Sequence, residues 1–321
     1  MSRLSVVFSI LAILVVRAAD SHAQDAVKVP DDVSFRKANI QSEGTRMAAE
    51  VFAPKASKGK KLPTIVMSHG WGGTAKGLRR DAVVFAQAGY LVVSFDYRGW
   101  GASDGRVILT KPAPKDRDGL TFTAEVREIR EVVDPIDQTT DLANAIHWVL
   151  GEDQCDKNRI ALWGSSFSGG HVVYAAARDA RIKATVSQVP SLDGRWVVNS
   201  RVMARATHKG ATDRARGKTG YPKPGAKVIG NLKGAPILER LMGFAPVEDV
   251  TRRSDCAMLF VIAENEELFD NADHGILAHA RAKGPKKLVT IPGIKHYGVY
   301  NEARKQAQKL AIDWFNEHLK K

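Results

Sequence analysis

Cysteine is almost missing. The 321 residues hold two, Cys155 and Cys256. No Cys/His cluster has metal-ligand spacing, so no zinc framework is expected. Each cysteine stands just before a predicted strand, at one edge of a parallel sheet with a strand between them. Two buried or free thiols are the expectation, with a bridge as the alternative. Acidic residues are also in deficit, 35 against 48 lysines and arginines, which leaves a net charge of +13. Such a balance suits nucleic acid, anionic membranes or polymers, or acidic substrates. No nucleic-acid recognition motif accompanies it and the basic residues are dispersed, so no nucleic-acid partner is expected. Phosphate-binding glycine motifs, internal repeats and low-complexity tracts are absent as well, and neither an organic cofactor nor a metal is called for.

Long apolar runs are missing except at the start. Val6 to Val16 is apolar, follows Arg3, ends at Arg17, and precedes the small-x-small site Ser21-His22-Ala23. Residues 1–23 are therefore expected to be a cleaved secretory signal, with an uncleaved anchor as the alternative. Export to the periplasm or the exterior follows, without stable membrane insertion after cleavage. Residues 24–34 are expected to be a mobile start, and 35–321 one domain.

What is present is a hydrophobic fraction of 44%, enough for a core, and an alternation of apolar runs with helical patterns. Phe35–Gln41 and Arg46–Ala53 flank a turn signal and predict a hairpin. Thr64–Met67, Tyr90–Phe95, Ile160–Trp163, Ile182–Val189, Ala257–Ala263 and Lys287–Ile291 read as buried strands. Arg79–Ala88, Glu125–Val133, Thr139–Leu150, His171–Arg178, Ala272–Lys283 and Asn301–Leu319 read as helices. The pattern predicts an α/β fold: a mostly parallel eight-stranded sheet with an antiparallel edge, flanked by helices. Residues 191–250 break the alternation and are too long for a bare loop, so an inserted cap of short helices is expected there.

Chemistry is expected beyond the carboxyl ends of the strands. Ser68-His-Gly-Trp-Gly-Gly73 offers a glycine turn whose amides can face an anion. The N–H of Trp71 is one candidate oxyanion donor, with His69 and Gly70 supporting that turn. Asp96 opens a second glycine-rich loop as a turn-shaping acceptor. Gly164-Ser-Ser-Phe-Ser168 joins a strand to a helix through small residues, close to the pattern in which a serine stands exposed on a sharp turn. Ser166 is the candidate nucleophile and the N–H of Phe167 the second donor, although Ser168 replaces the usual last glycine. Ala263-Glu-Asn-Glu-Glu-Leu-Phe-Asp270 supplies several carboxylates, and His296 follows the last strand.

Taken together and in this order, these motifs resemble the α/β-hydrolase superfamily, and within it the dienelactone-hydrolase-like and Xaa-Pro-peptidase or acyl-esterase-like group. The resemblance spans about 35–321. It implies Ser166 as nucleophile, His296 as base and then acid, and an orienting carboxylate three residues past Ala263, namely Glu266. Glu267, Asp270 and Asp193 remain alternatives. Dienelactone hydrolases use a cysteine nucleophile, so the serine here argues against that activity.

The expected reaction is hydrolysis of a carboxylic ester of a small molecule through an acyl-enzyme. A peptidase or amidase, an acyltransferase, and a non-catalytic binding protein on the same fold are the rivals. Arg195, Arg201 and Arg205 in the cap would select an anionic substrate or form a solvated outer face. Trp71, Trp100 and Trp196 would line an acyl site or pack in the core.

Overall fold

The computed structural model describes residues 27–116, 119–226 and 232–320. The expected signal over 1–23 lies outside them. Among the described residues, no helix is long and apolar enough to cross a membrane.

Strands β1 (Val33–Ser42) and β2 (Thr45–Pro54) pair in full antiparallel register. Glu43 and Gly44 connect them with φ of 49° and 76°. Two consecutive positive φ values are what a type I′ hairpin turn requires. The first strand begins at Val33, two residues earlier than the sequence pattern indicates, because Val33 is buried and pairs with Pro54. β3 (Leu62–Ser68), α1 (Ala75–Gln87) and β4 (Leu91–Phe95) follow.

The next stretch departs from expectation. In place of a helix over 125–133, the chain forms β5 (Val107–Leu109) paired with β6 (Val126–Glu128), and then β7 (Val132–Val133). Val126, Ile129 and Val132 mimic helical spacing. Ile129 and Val132 instead pack with Ile237, a contact made from over 100 residues away that local periodicity does not encode. α2 (Pro135–Val149) has Asp134 as its N-cap, accepting from the amides of Ile136 and Asp137, with proline at the first helical position.

β8 (Cys155–Ser165), α3 (Phe167–Ala176) and β9 (Ile182–Gln188) carry the serine turn. Between β9 and β11 (Ala257–Ala263) lie a short 3-10 turn at Arg195–Val198, α4 (Arg201–Ala215), β10 (Ala235–Pro236), α5 (Leu238–Leu241) and α6 (Pro246–Asp249). α4 is a full helix of 15 residues, where only short helices were expected; Ser200 caps it through the Met203 amide. β10 pairs with β7 and ties this region to the body. α7 (Gly275–Arg281), β12 (Lys286–Ile291) and α8 (Arg304–Leu319) close the chain.

The central sheet has eight strands in the order β1-β2-β4-β3-β8-β9-β11-β12. Only β2 runs against its neighbours; the pairs from β4 to β12 are parallel. One apolar layer, with Leu142, Val172 and Ala278, packs α2, α3 and α7 on one face. Another, with Phe85, Trp314 and Phe315, packs α1 and α8 on the opposite face. Parallel strands covered on both faces explain the nearly continuous apolar runs. Cys155 and Cys256 are buried free thiols, not a bridge. Burial pushes the Cys256 thiol up to about 12, so it stays protonated at neutral pH.

Candidate active site

The parallel strands all deliver their carboxyl ends to one rim, and the candidate residues gather there. Ser166 sits between β8 and α3 with φ of 58° and ψ of −125°. That backbone region is unfavourable for a residue with a Cβ. It is held in place from both sides: the Ser166 amide donates to Gln188 O at 2.8 Å and its carbonyl accepts from Ser191 N at 3.0 Å. Glycine is required at 164, because a Cβ there would meet Ser168 O at 2.3 Å. Ser168, the departure from the usual glycine, bonds through its hydroxyl to Ser68 O at 2.6 Å and accepts from Ser165 N at 2.9 Å. The extra hydroxyl ties the serine turn to the end of β3.

His296 Nε2 lies 3.0 Å from Ser166 Oγ. Its Nδ1 lies 2.9 and 2.8 Å from the two carboxylate oxygens of Glu266. An ionised carboxylate only accepts, so the ring proton sits on Nδ1 and Nε2 is free to accept from the hydroxyl. The side chains of His296 and Glu266 are 1% and 2% exposed, which shields the pair from competing water. The other carboxylates do not reach the ring. Glu267 accepts from the His296 backbone amide at 2.8 Å. Asp270 accepts from the Ala272 amide, and Asp193 pairs with Arg195. Glu266 Oε1 also accepts from Leu268 N at 3.1 Å, which orients the carboxylate.

The turn after β3 lies against the serine. Gly73 N donates to Gly70 O, and Gly72 at the third position has φ of 73°, as a type II turn requires. In such a turn the Trp71 N–H takes no part in the closing hydrogen bond. Phe167 is the first residue of α3, so its N–H has no acceptor within the helix. A Cβ on Gly70 would stand 2.7 Å from Ser165 O and 3.0 Å from Ser166 Cβ, so the turn approaches Ser166 at backbone distance. His69 Nδ1 is 3.0 Å from Gly70 O and donates to it. Burial pushes the His69 pKa below its ordinary value, and that of His171 to about 3. Tyr97 joins this layer, its hydroxyl 2.8 Å from His171 Nδ1.

Two cavities share Ser166 in their linings. One, of about 350 Å³, is walled by Trp71, Phe167, Trp196, Leu268 and Phe269, with His274 at the wall. The other, of about 330 Å³, is walled by Gly70, Leu78, Ser165, His296, Tyr297 and Tyr300. Trp71 and Trp196 therefore face the site. Trp100 does not; it is buried and donates to Val132 O. Among the described residues, Arg195, Arg201 and Arg205 line neither cavity; Arg195 is paired to Asp193 and Glu248, and Arg201 and Arg205 are exposed on α4. Asp96 shapes its loop by accepting from the amides of Ala75 and Ala102. Sequence reasoning passed over Ser165, whose hydroxyl meets Tyr300 and Gln188, and His274. Neither carries a local motif. Among the described residues, no group of three or more His, Cys, Asp or Glu side chains is arranged to hold a metal ion.

Comparison with known proteins gives a consistent placement. Residues 43–222 match the X-Pro dipeptidyl-peptidase family, S15. An uncharacterized 31.7 kDa protein encoded between traX and finO in Escherichia coli is 28% identical over 286 residues, covering 81% of this chain and 92% of that one. A Pseudomonas aeruginosa protein solved as a hypothetical protein superposes with a TM-score of 0.74 at 19% identity, covering 92% of this chain and 97% of that one. The α/β hydrolase GrgF from Penicillium gives 0.70 at 20% identity, covering 90% and 99%.

Proposed function

The chain belongs to the X-Pro dipeptidyl-peptidase (S15) family within the α/β-hydrolase superfamily, and we propose that it is an exported serine hydrolase that cleaves carboxylic esters through an acyl-enzyme on Ser166. The observation that carries this reading is the unbroken line from the Ser166 hydroxyl through His296 to the Glu266 carboxylate. A serine hydroxyl is a poor nucleophile at neutral pH without an adjacent base, and the base needs an acceptor to fix its tautomer.

His296 Nε2 takes the Ser166 proton as Oγ attacks the carbonyl carbon. The amides of Trp71 and Phe167 stabilise the oxyanion, each worth about 3 kcal/mol by analogy with other hydrolases. His296 then gives its proton to the leaving oxygen, and the C–O bond to the alcohol breaks. Water, deprotonated by His296, attacks the acyl carbon; the bond to Ser166 Oγ breaks, His296 returns the proton to that oxygen, and the acid is released. Because His296 must reach the leaving oxygen, the cavity that it lines takes the leaving group. The aromatic cavity takes the acyl group.

Family membership also favours a second reading, amide cleavage, since the same three groups serve a leaving amine. Labelling with a fluorophosphonate probe, followed by mapping of the modified residue, tests nucleophile and class together. Hydrolysis of one acyl group presented as ester and as amide separates the two readings. Export through a signal over residues 1–23 is part of the proposal; N-terminal sequencing of the mature protein, expected to begin at Gln24, tests it.

A further inference from the structure

We propose that His274 is a specificity-determining residue whose Nε2–H donates a hydrogen bond to a neutral oxygen, such as a ketone or ether oxygen, on the acyl group held beside Ser166. The inference rests on the reading of Ser166 as an acylated nucleophile.

The tautomer of His274 is set by its partner. The backbone N–H of Leu192 points at Nδ1 from 2.8 Å. An N–H can only donate, so Nδ1 accepts, and a neutral ring must carry its proton on Nε2. An accepting Nδ1 leaves the ring neutral, and burial, which drives its pKa below the ordinary value against the opposing pull of Asp193, Asp273, Glu266 and Asp270, acts in the same direction. It is also fixed. Phe269 packs on it with ring centroids 4.5 Å apart, and the His274 carbonyl accepts from Ala278 N at 2.9 Å at the start of α7. Turning the ring over would break the bond to Leu192.

The Nε2–H is the donor left over. Among the described residues nothing hydrogen-bonds to it, and unlike Nε2 of His69 and of His171 it is not sealed from solvent. The residue is only 6% exposed, and it lines the cavity that Trp71, Phe167, Trp196 and Phe269 also wall. An oriented donor in a largely aromatic and aliphatic wall is a feature that fixes a ligand's orientation in small-molecule sites. Asp270 and Asp273 lie on the same wall and are exposed. Their charge disfavours an acyl group ending in a carboxylate, which is why the acceptor is a neutral oxygen. An alkyl chain in this cavity would leave the donor dry and unpaired, and a site so built rejects the analogue that lacks its partner.

The test uses p-nitrophenyl esters of straight-chain acids, each paired with the same chain carrying one ketone, the ketone scanned outward from the third carbon and rates corrected for buffer hydrolysis. At one position the wild-type kcat/KM is expected to rise about tenfold over the plain ester, the size of one net hydrogen bond. In His274→Phe the ratio of ketone-ester to plain-ester kcat/KM should fall to about one. His274→Asn retains an acceptor for the Leu192 amide but falls short of the Nε2 position; it should also lose the preference, which separates substrate contact from the loop tie. A wild type with no preference at any position overturns the inference. So does a preference that survives in both variants, or a variant that slows plain and ketone esters equally. Failure of the wild type to turn over any ester overturns the reading of the enzyme as an esterase instead.

Discussion

The imidazole of His296 stands 3.0 Å from the hydroxyl of Ser166, although 130 residues separate them in the chain. Each reaches the same rim from a different parallel strand. β8 ends at Ser165, and β12 ends five residues before His296. If this pair performs the chemistry, Ser166→Ala should reduce kcat for a short-chain p-nitrophenyl ester by at least about a thousandfold, and His296→Ala by nearly as much, because members of such a relay fail together. Circular dichroism should show both variants folded. Full turnover by Ser166→Ala would remove this serine from the mechanism.

Glu266 and Glu267 are neighbours with different tasks. One receives the ring N–H of His296 and the other its backbone N–H. Glu266→Gln presents an amide whose NH₂ can face Nδ1 and favour the wrong tautomer. A loss in kcat of about a hundredfold to ten-thousandfold is expected. Glu267→Gln leaves an acceptor in place and should cost less than about tenfold, in line with one neutral hydrogen bond. Steady-state kinetics of the two variants side by side decide between them; equal losses would contradict this division.

Gly70 has no room for a side chain. A Cβ there would meet backbone at 2.7 Å and the Ser166 side chain at 3.0 Å. Gly70→Ala should push the turn that carries Trp71 away from the reacting carbon. The expected result is a drop in kcat of more than about tenfold, with less change in KM, since an oxyanion contact is made in the transition state and not before. A Gly70→Ala enzyme with wild-type kcat would exclude the turn from the mechanism.

Stability should fall in mild acid. The folded-state pKa of His171 is about 3 because burial disfavours the charged ring; unfolded, the group returns to about 6.5. The unfolded chain therefore binds a proton that the folded chain refuses. The stabilising contribution is complete above pH 6.5 and is lost as pH falls toward 3. Between about pH 7.5 and pH 5 this single group should account for about 2 kcal/mol, and His69, shifted in the same direction, adds to the trend. Urea unfolding at the two pH values measures it, and His171→Leu should show the smaller difference. An equal pH dependence in the variant would show that the loss arises elsewhere.

Some of this arrangement is written locally. Continuous apolar runs announce parallel strands with both faces covered, and the residue spacing around Ser166 announces a strand turning sharply into a helix. The stretch 125–133 shows where that legibility stops. Its apolar residues are spaced as a helix would space them, yet β5 and β10 capture it as strand because pairing partners at 107–109 and 235–236 are available. Periodicity reports which residues want burial. It is silent on what buries them.

The amino-acid sequence by itself determined the order of the eight central strands and of the helices that flank them, the strained serine turn and a histidine in the last loop, because each depends on neighbours within a few residues. Only the tertiary structure decided which of the carboxylates after β11 faces the ring of His296. In an irregular loop, side-chain direction is set by contacts such as Asn265 N to Ile294 O and Gly293 N to Glu264, which join that loop to the one after β12. The same holds for His274. Nothing around it in the chain marks it, and its free Nε2–H exists only because Leu192, 82 residues earlier, occupies the other nitrogen.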